Sequence, residues 1–131
     1  MLSDARSSTI DLALRFDVAE LQSFVQTLLL KAGMPQDKAT DVAGILIEGD
    51  LLGHETHGLQ LLPTYLEEIA KGGMTLAGEP ELLADQGAVV TWDGRRLPGP
   101  WLVLRAIALA SERARRLGVG VVCVRRSHHI A

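Results

Sequence analysis

A single cysteine, Cys123, stands in a chain of 131 residues. It leaves no partner for an internal disulfide and excludes any CxxC metal or redox motif. Its neighbours, VGVVCV, are apolar, so the thiol is expected to be a small buried hydrophobe rather than a nucleophile. Aromatic residues make up only 4% of the chain, which requires a core of Leu, Val, Ile and Ala. Long apolar runs are missing as well. The longest, Trp101 to Ala110, is broken by Arg105 and falls short of the roughly 20 residues that a membrane-spanning helix needs. The first residues, MLSDARSSTIDLALRF, carry Asp4 and Asp11 and no apolar h-region. No secretory signal is read there, and the expected compartment is cytoplasmic.

Charge of one sign is not abundant either. The chain has 13 Lys plus Arg against 16 Asp plus Glu, a net charge of -3. A local basic excess (Arg113, Arg115, Arg116, Arg125, Arg126) is too narrow for a nucleic-acid-binding face. Its helix-end arginines are expected to be solvated groups that favour the negative end of a helix dipole. What remains is 47% hydrophobic and 22% charged, the balance of one folded domain with a real core.

Along the chain, residues 1–15 read as a flexible leader and 16–75 as a helical region. Asp17 and Glu20 form a D-x-x-E box ahead of a stripe of Val18, Leu21, Val25 and Leu28, and Gly33 ends the helix. Pro35 opens a second helix with Ala39, Val42, Ala43, Leu46 and Ile47 inward. A third is expected from about Leu59 to Lys71, its start close to His57, because Pro63 is tolerable only in a first turn. From residue 76 the texture changes to an α/β pattern. Glu81 to Ala84 and AVVTWDG read as strands, with Asp93-Gly94 as a tight turn. PGP then opens a helix from about Trp101 to Leu117, capped by Gly118. VGVVCV follows as a central strand covered on both faces. A parallel crossover around the last helix is expected.

The four histidines fall in two pairs. His54 and His57, in GHETHG, are one residue too close for the H-E-x-x-H zinc pattern. His54 and Glu55 read as ordinary turn residues, with His54 pointing away from any site. His57 lies between a hydroxyl and a glycine near a helix start, where backbone N–H groups can face an anion and an imidazole can exchange a proton near neutral pH. His128 and His129 follow the last strand, and open α/β sheets place ligands at such strand ends. One of that pair is read as functional. A two-plus-two histidine metal site stays open as an alternative.

The stretch DLLGHETHGLQLLPTYLEEIAKGG resembles the malate/L-lactate dehydrogenase family, whose pattern runs D-x-x-G-x-x-[S/T]-H-G-x-x-R-x-P. Asp50, Gly53, Thr56, His57, Gly58 and Pro63 match it in order. GVGVVCVRRSHHIA is similar to the family's strand ending S-x-H-[hydrophobic]-[G/A], with Ser127, His129, Ile130 and Ala131 in register. The resemblance spans residues 16–131. It implies an α/β fold in which the helical segment precedes a non-Rossmann, sulfolactate-dehydrogenase-like nucleotide-binding domain, of which 76–131 is the first part. The absence of G-x-G-x-x-G agrees with this, since GVGVV lacks the third glycine.

By resemblance, His57 exchanges a proton with the substrate oxygen, Thr56 stands beside it as a relay, and His129 is a second acid/base group. Ser127, His129, Ile130 and Ala131 are implied at a pocket for NAD or NADP. The implied partners are a small 2-oxo or 2-hydroxy acid and, in the intact enzyme, a second copy of the chain, with no nucleic acid or membrane. Two departures follow. The family's substrate-clamping arginine is Leu61 here, which cannot form a bidentate pair with a carboxylate. Family chains are also about two to three times this long, so the chain is expected to be an N-terminal, truncated portion that is inactive alone. The alternatives are a non-catalytic helical interaction module and a small histidine-metal protein.

Overall fold

A computed structural model describes residues 15–129. The expected leader, Arg15 apart, and the expected cofactor contacts Ile130 and Ala131 lie outside the described residues. Helix α1 (Val18–Lys31) begins where sequence chemistry places it. The Asp17 side chain accepts from the Glu20 N–H at 2.9 Å, and the chain leaves through Gly33 at φ +96°. Helix α2 (Gln36–Leu51) follows Pro35 and packs along α1. Two short 3-10 turns, Glu55–His57 and Leu59–Leu61, then lead into α3 (Leu62–Ala70).

That last segment departs from expectation. The third helix starts at Leu62 rather than near His57, with Pro63 in its first turn. The N–H groups of His57, Gly58 and Leu61 are spent on carbonyls within the turns, and that of Leu59 on the Asp50 carboxylate. No helix start is left at His57 to receive an anion.

Val25, Leu29, Met34, Ala39, Val42, Ala43, Leu46, Leu62, Tyr65 and Met74 form one buried cluster between the three helices. Its composition is nearly all aliphatic, as scarce aromatics demand.

Strand β1 (Glu81–Asp85) pairs antiparallel with β2 (Val89–Asp93), with a bulge between Leu82 and Ala84. The chain then crosses through α4 (Gly99–Leu117) to β3 (Val121–Arg125), parallel to β2 with Thr91 opposite Cys123. The expected β-α-β unit is therefore present. Only the first turn of α4 is buried, through Gly99, Pro100, Trp101 and Leu102.

The strand order β1-β2-β3 corrects the reading of β3 as central. Among the described residues it is an edge strand. Val122 and Val124 turn toward α4, while Val121, Cys123 and Arg125 are exposed on the other face. Cys123 is consequently an exposed thiol and not a buried hydrophobe.

The arginines are also less free than expected. Arg113 makes a two-pronged bond to Asp85 at 3.0 and 2.8 Å and donates to the Gly87 carbonyl, pinning α4 to the β1–β2 turn. Arg125 and Arg126 both reach the wholly buried Asp93. Among the described residues, no helix is long and apolar enough to cross a membrane.

Candidate active site

The GHETHG turn is fitted against α2 by missing side chains. A Cβ on Gly49 would stand 2.7 Å from the His57 carbonyl oxygen, and one on Gly58 would collide with the Asp50 carboxylate. Asp50 in turn accepts from the Leu59 N–H at 3.0 Å. Two glycines and one carboxylate thus set where His57 stands. Its ring is exposed, and its Nδ1 lies 2.9 Å from the Thr56 hydroxyl. The Thr56 hydroxyl can donate to that nitrogen or accept from it, so the contact orients the ring in either tautomer.

The second histidine segment arrives from β3. Asp93 organises this exit: it accepts from Arg125 and Arg126, and from the Arg95 N–H at 2.9 Å. The Arg126 guanidinium, with help from Arg95 and Arg125, holds the Asp93 carboxyl at about 2 against the opposing effect of burial. Arg95, Arg96 and Arg126 all adopt positive φ, so this ionic cluster supports a backbone that L-residues rarely take. His128 then donates its N–H to the Leu97 carbonyl at 3.0 Å. A Cβ on Gly99 would collide with the His129 carbonyl oxygen, so the loop can lie on the start of α4 only over glycine.

These two supports bring His57 and His129 together. Their ring centroids are 6.5 Å apart, with planes inclined at 32°. That is too far for a direct hydrogen bond and near enough for one small polar group to reach both. Ser127 sits in the same loop, half-buried beside Gly94.

His128 faces the other way, with its Nε2 3.6 Å from Glu68 and its Nδ1 buried without a partner. His54 does not point away as expected. It lines an open cleft of about 350 Å³ together with His57, Ile45, Glu48, Gly49 and Leu52. Leu61, at the position of the expected arginine, packs half-buried against the helical core. Among the described residues, no group of three or more His, Cys, Asp or Glu side chains could hold a metal ion.

Tyr65 escaped the sequence reading. It is 1% exposed on α3, its hydroxyl lies 3.2 Å from the His129 carbonyl oxygen and 3.4 Å from His129 Nδ1, and its ring packs edge-on against His128. Burial pushes its phenol up to about 12. The signal was available, because the one tyrosine of an aliphatic chain, on the inward stripe of a helix, must find a partner for its hydroxyl.

A model of the family described as malate/L-lactate dehydrogenase matches residues 16–131. The chain belongs to the malate/L-lactate dehydrogenase family. It is 34% identical over 116 residues to hydroxycarboxylate dehydrogenase B of Escherichia coli, covering 88% of this chain and 32% of that one. It is 39% identical over 110 residues to a malate dehydrogenase of Pyrococcus abyssi, covering 84% of this chain and 30% of the relative. The solved malate dehydrogenase of Pyrococcus horikoshii superposes with a TM-score of 0.87 at 32% identity, over 90% of this chain and 34% of the other. This family member thus spans about a third of the length of the relatives it matches, and its α/β fold is a corresponding portion of theirs.

Proposed function

We propose that this chain supplies the proton-handling wall of an NAD(P)-dependent oxidoreductase acting on a 2-hydroxy or 2-oxo acid. The observation that supports it most is the convergence of His57 and His129, each exposed and each held by a separate local device.

The described residues suit the nicotinamide end of such a cofactor, through Ser127 and His129. They offer no cradle for its phosphates, since the first turn of α4 is buried beneath the carbonyls of His128 and His129. When bound, the nicotinamide supplies hydride transfer at the carbon that bears the substrate oxygen. The chain's own part is the proton. His57, with Thr56 on its Nδ1, and His129, with Tyr65 on its Nδ1, would take the proton from a hydroxyl or return it to a carbonyl oxygen. Leu61 cannot bind the substrate carboxylate, so either another cation does so or the substrate differs from a simple 2-oxo acid. Use of NAD or NADP, a homodimer and a cytoplasmic setting belong to the same proposal.

This chain by itself is expected to give no turnover, because its described residues offer no cradle for a dinucleotide's phosphates. The test is a fusion in which this chain replaces the matching third of the Pyrococcus horikoshii malate dehydrogenase, assayed by nicotinamide absorbance. His57→Ala and His129→Ala should each lower turnover by about 10²- to 10⁴-fold. Unaltered turnover in both would refute the reading. Leu61→Arg should improve the use of small 2-oxo acids, and an unchanged profile would place carboxylate binding elsewhere.

A second reading, a non-catalytic interaction module, draws on the exposed Phe16, Phe24, Leu51 and Leu52 of the helical region. Self-association lost on Phe24→Ser, in a chain whose histidines contribute nothing to the fusion enzyme, would favour it.

A further inference from the structure

We infer that Tyr65 is a positioning residue that sets the tautomer of His129, keeping the proton on Nδ1 and leaving Nε2 as the free base. The part that concerns catalysis rests on the proposed role of His129. The tautomer itself rests on geometry alone.

The phenol of Tyr65 has one proton to donate and lone pairs to accept with. It faces two atoms of the same residue, the His129 carbonyl oxygen at 3.2 Å and the His129 Nδ1 at 3.4 Å. The carbonyl can only accept, so the hydroxyl proton goes there. The phenol oxygen is then an acceptor facing Nδ1, and that contact is favourable only if Nδ1 carries a proton. The opposite arrangement, with the phenol donating to Nδ1, would leave the carbonyl without this donor. The phenol, on a residue only 1% exposed, has little water to bond in place of these two atoms.

The other neighbours do not compete for this assignment. Glu68, the acid nearest the loop on α3, reaches His128 and not His129. His57 stands 6.5 Å from the His129 ring, beyond direct bonding range.

The consequence is chemical. A neutral imidazole can accept a substrate proton only through its bare nitrogen, and the hydrogen bond at the other nitrogen decides which one that is. Nδ1 faces the buried phenol and cannot reach a substrate. Locking the proton there places the whole basic capacity of the ring on Nε2. The Thr56 hydroxyl stands at Nδ1 of His57, at 2.9 Å. Each histidine of the pair thus has a hydroxyl on the same ring atom.

The experiment uses the 131-residue chain labelled with nitrogen-15, at a pH where its imidazoles are neutral. Long-range proton–nitrogen spectra distinguish a protonated from a bare ring nitrogen. For His129 the expected result is a predominantly protonated Nδ1 and a bare Nε2. In Tyr65→Phe, which keeps the ring and its edge contact with His128, the Nε2-protonated form should rise several-fold and become the major one. Two results overturn the inference: a native His129 protonated mainly on Nε2, or a folded Tyr65→Phe chain whose tautomer ratio is unchanged. Should Tyr65→Phe fail to fold, the native spectrum decides alone. If the native tautomer is as expected while His129→Ala leaves the fusion enzyme's turnover intact, the tautomer stands and the catalytic role falls.

Discussion

Leu46 and Ile107 are both aliphatic side chains in the middle of helices, yet the first is wholly buried and the second is 57% exposed. The contrast extends to the regions around them. Helices α1 to α3 enclose a contiguous buried cluster of ten residues, with Phe16, Val18, Phe24, Leu51 and Leu52 exposed around it. Among the described residues of the β-α-β region, the one buried cluster is Leu97, Trp101 and Leu102, at the first turn of α4, and Val124 packs against it. Beyond it, Leu82, Leu83, Leu104, Ile107, Leu117, Val119 and Val121 remain exposed. An apolar residue stabilises a fold by the water-exposed area it loses. Stability should therefore concentrate in the helical region and at the joint, while the outer faces of α4 and the sheet contribute little.

The largest effect is expected at the joint. Trp101 is 1% exposed, with the ammonium of the buried Lys38 3.9 Å from its ring and the Arg105 guanidinium 4.3 Å away. Trp101→Ala should cost about 3–5 kcal/mol in denaturant unfolding, since it opens a cavity and strips a buried cation of its aromatic partner. Leu46→Ala, in the helical cluster, should cost about 2–5 kcal/mol by the same measurement. A loss at Leu46 well below that range would mean that the helical core is looser than its burial indicates.

Acid should expose the third difference. Asp93 titrates near 2 in the fold against an ordinary 3.8. A depressed carboxylate contributes fully above the ordinary value and loses its contribution as pH falls toward the folded one. The melting temperature should therefore fall between about pH 4 and pH 2, and less steeply in Asp93→Asn. Asp85, lowered through Arg113, titrates in both proteins, so the difference between the two curves isolates Asp93.

Ile107→Ser should change stability by no more than about 0.5 kcal/mol, as surface substitutions do. The smallest perturbation is chemical labelling. Cys123 should react with a thiol reagent in the folded chain, whereas Met34 and Met74, at 2% and 4% exposure, should resist peroxide until the chain unfolds.

This division also explains what the sequence could and could not tell. The helical region was legible because its signals are local: Asp17 with Glu20, the stripe through Val25, and Ala39 to Ile47. The β-α-β order was legible for the same reason. Burial of β3 was not, because an apolar run reports a tendency to be covered and says nothing of what is there to cover it. VGVVCV reads as central, yet Cys123 faces outward.

At the site, motif spacing led to His57 and His129, and their nearness could be known only after folding. The side chains that hold them were harder to see. Asp93 looked like half of an ordinary Asp-Gly turn, and its two arginines lie more than thirty residues away in sequence. Gly49 and Gly99 matter for the carbonyls they admit, a property with no local signature.

The central claim is that His57 and His129 serve one reacting atom. Its most direct test is the double variant in the fusion enzyme. Groups that act as a unit lose most of their effect with the first substitution. Turnover of His57→Ala/His129→Ala should therefore lie within a few-fold of the worse single variant. Losses that multiply would contradict the claim and make the two rings neighbours with separate roles.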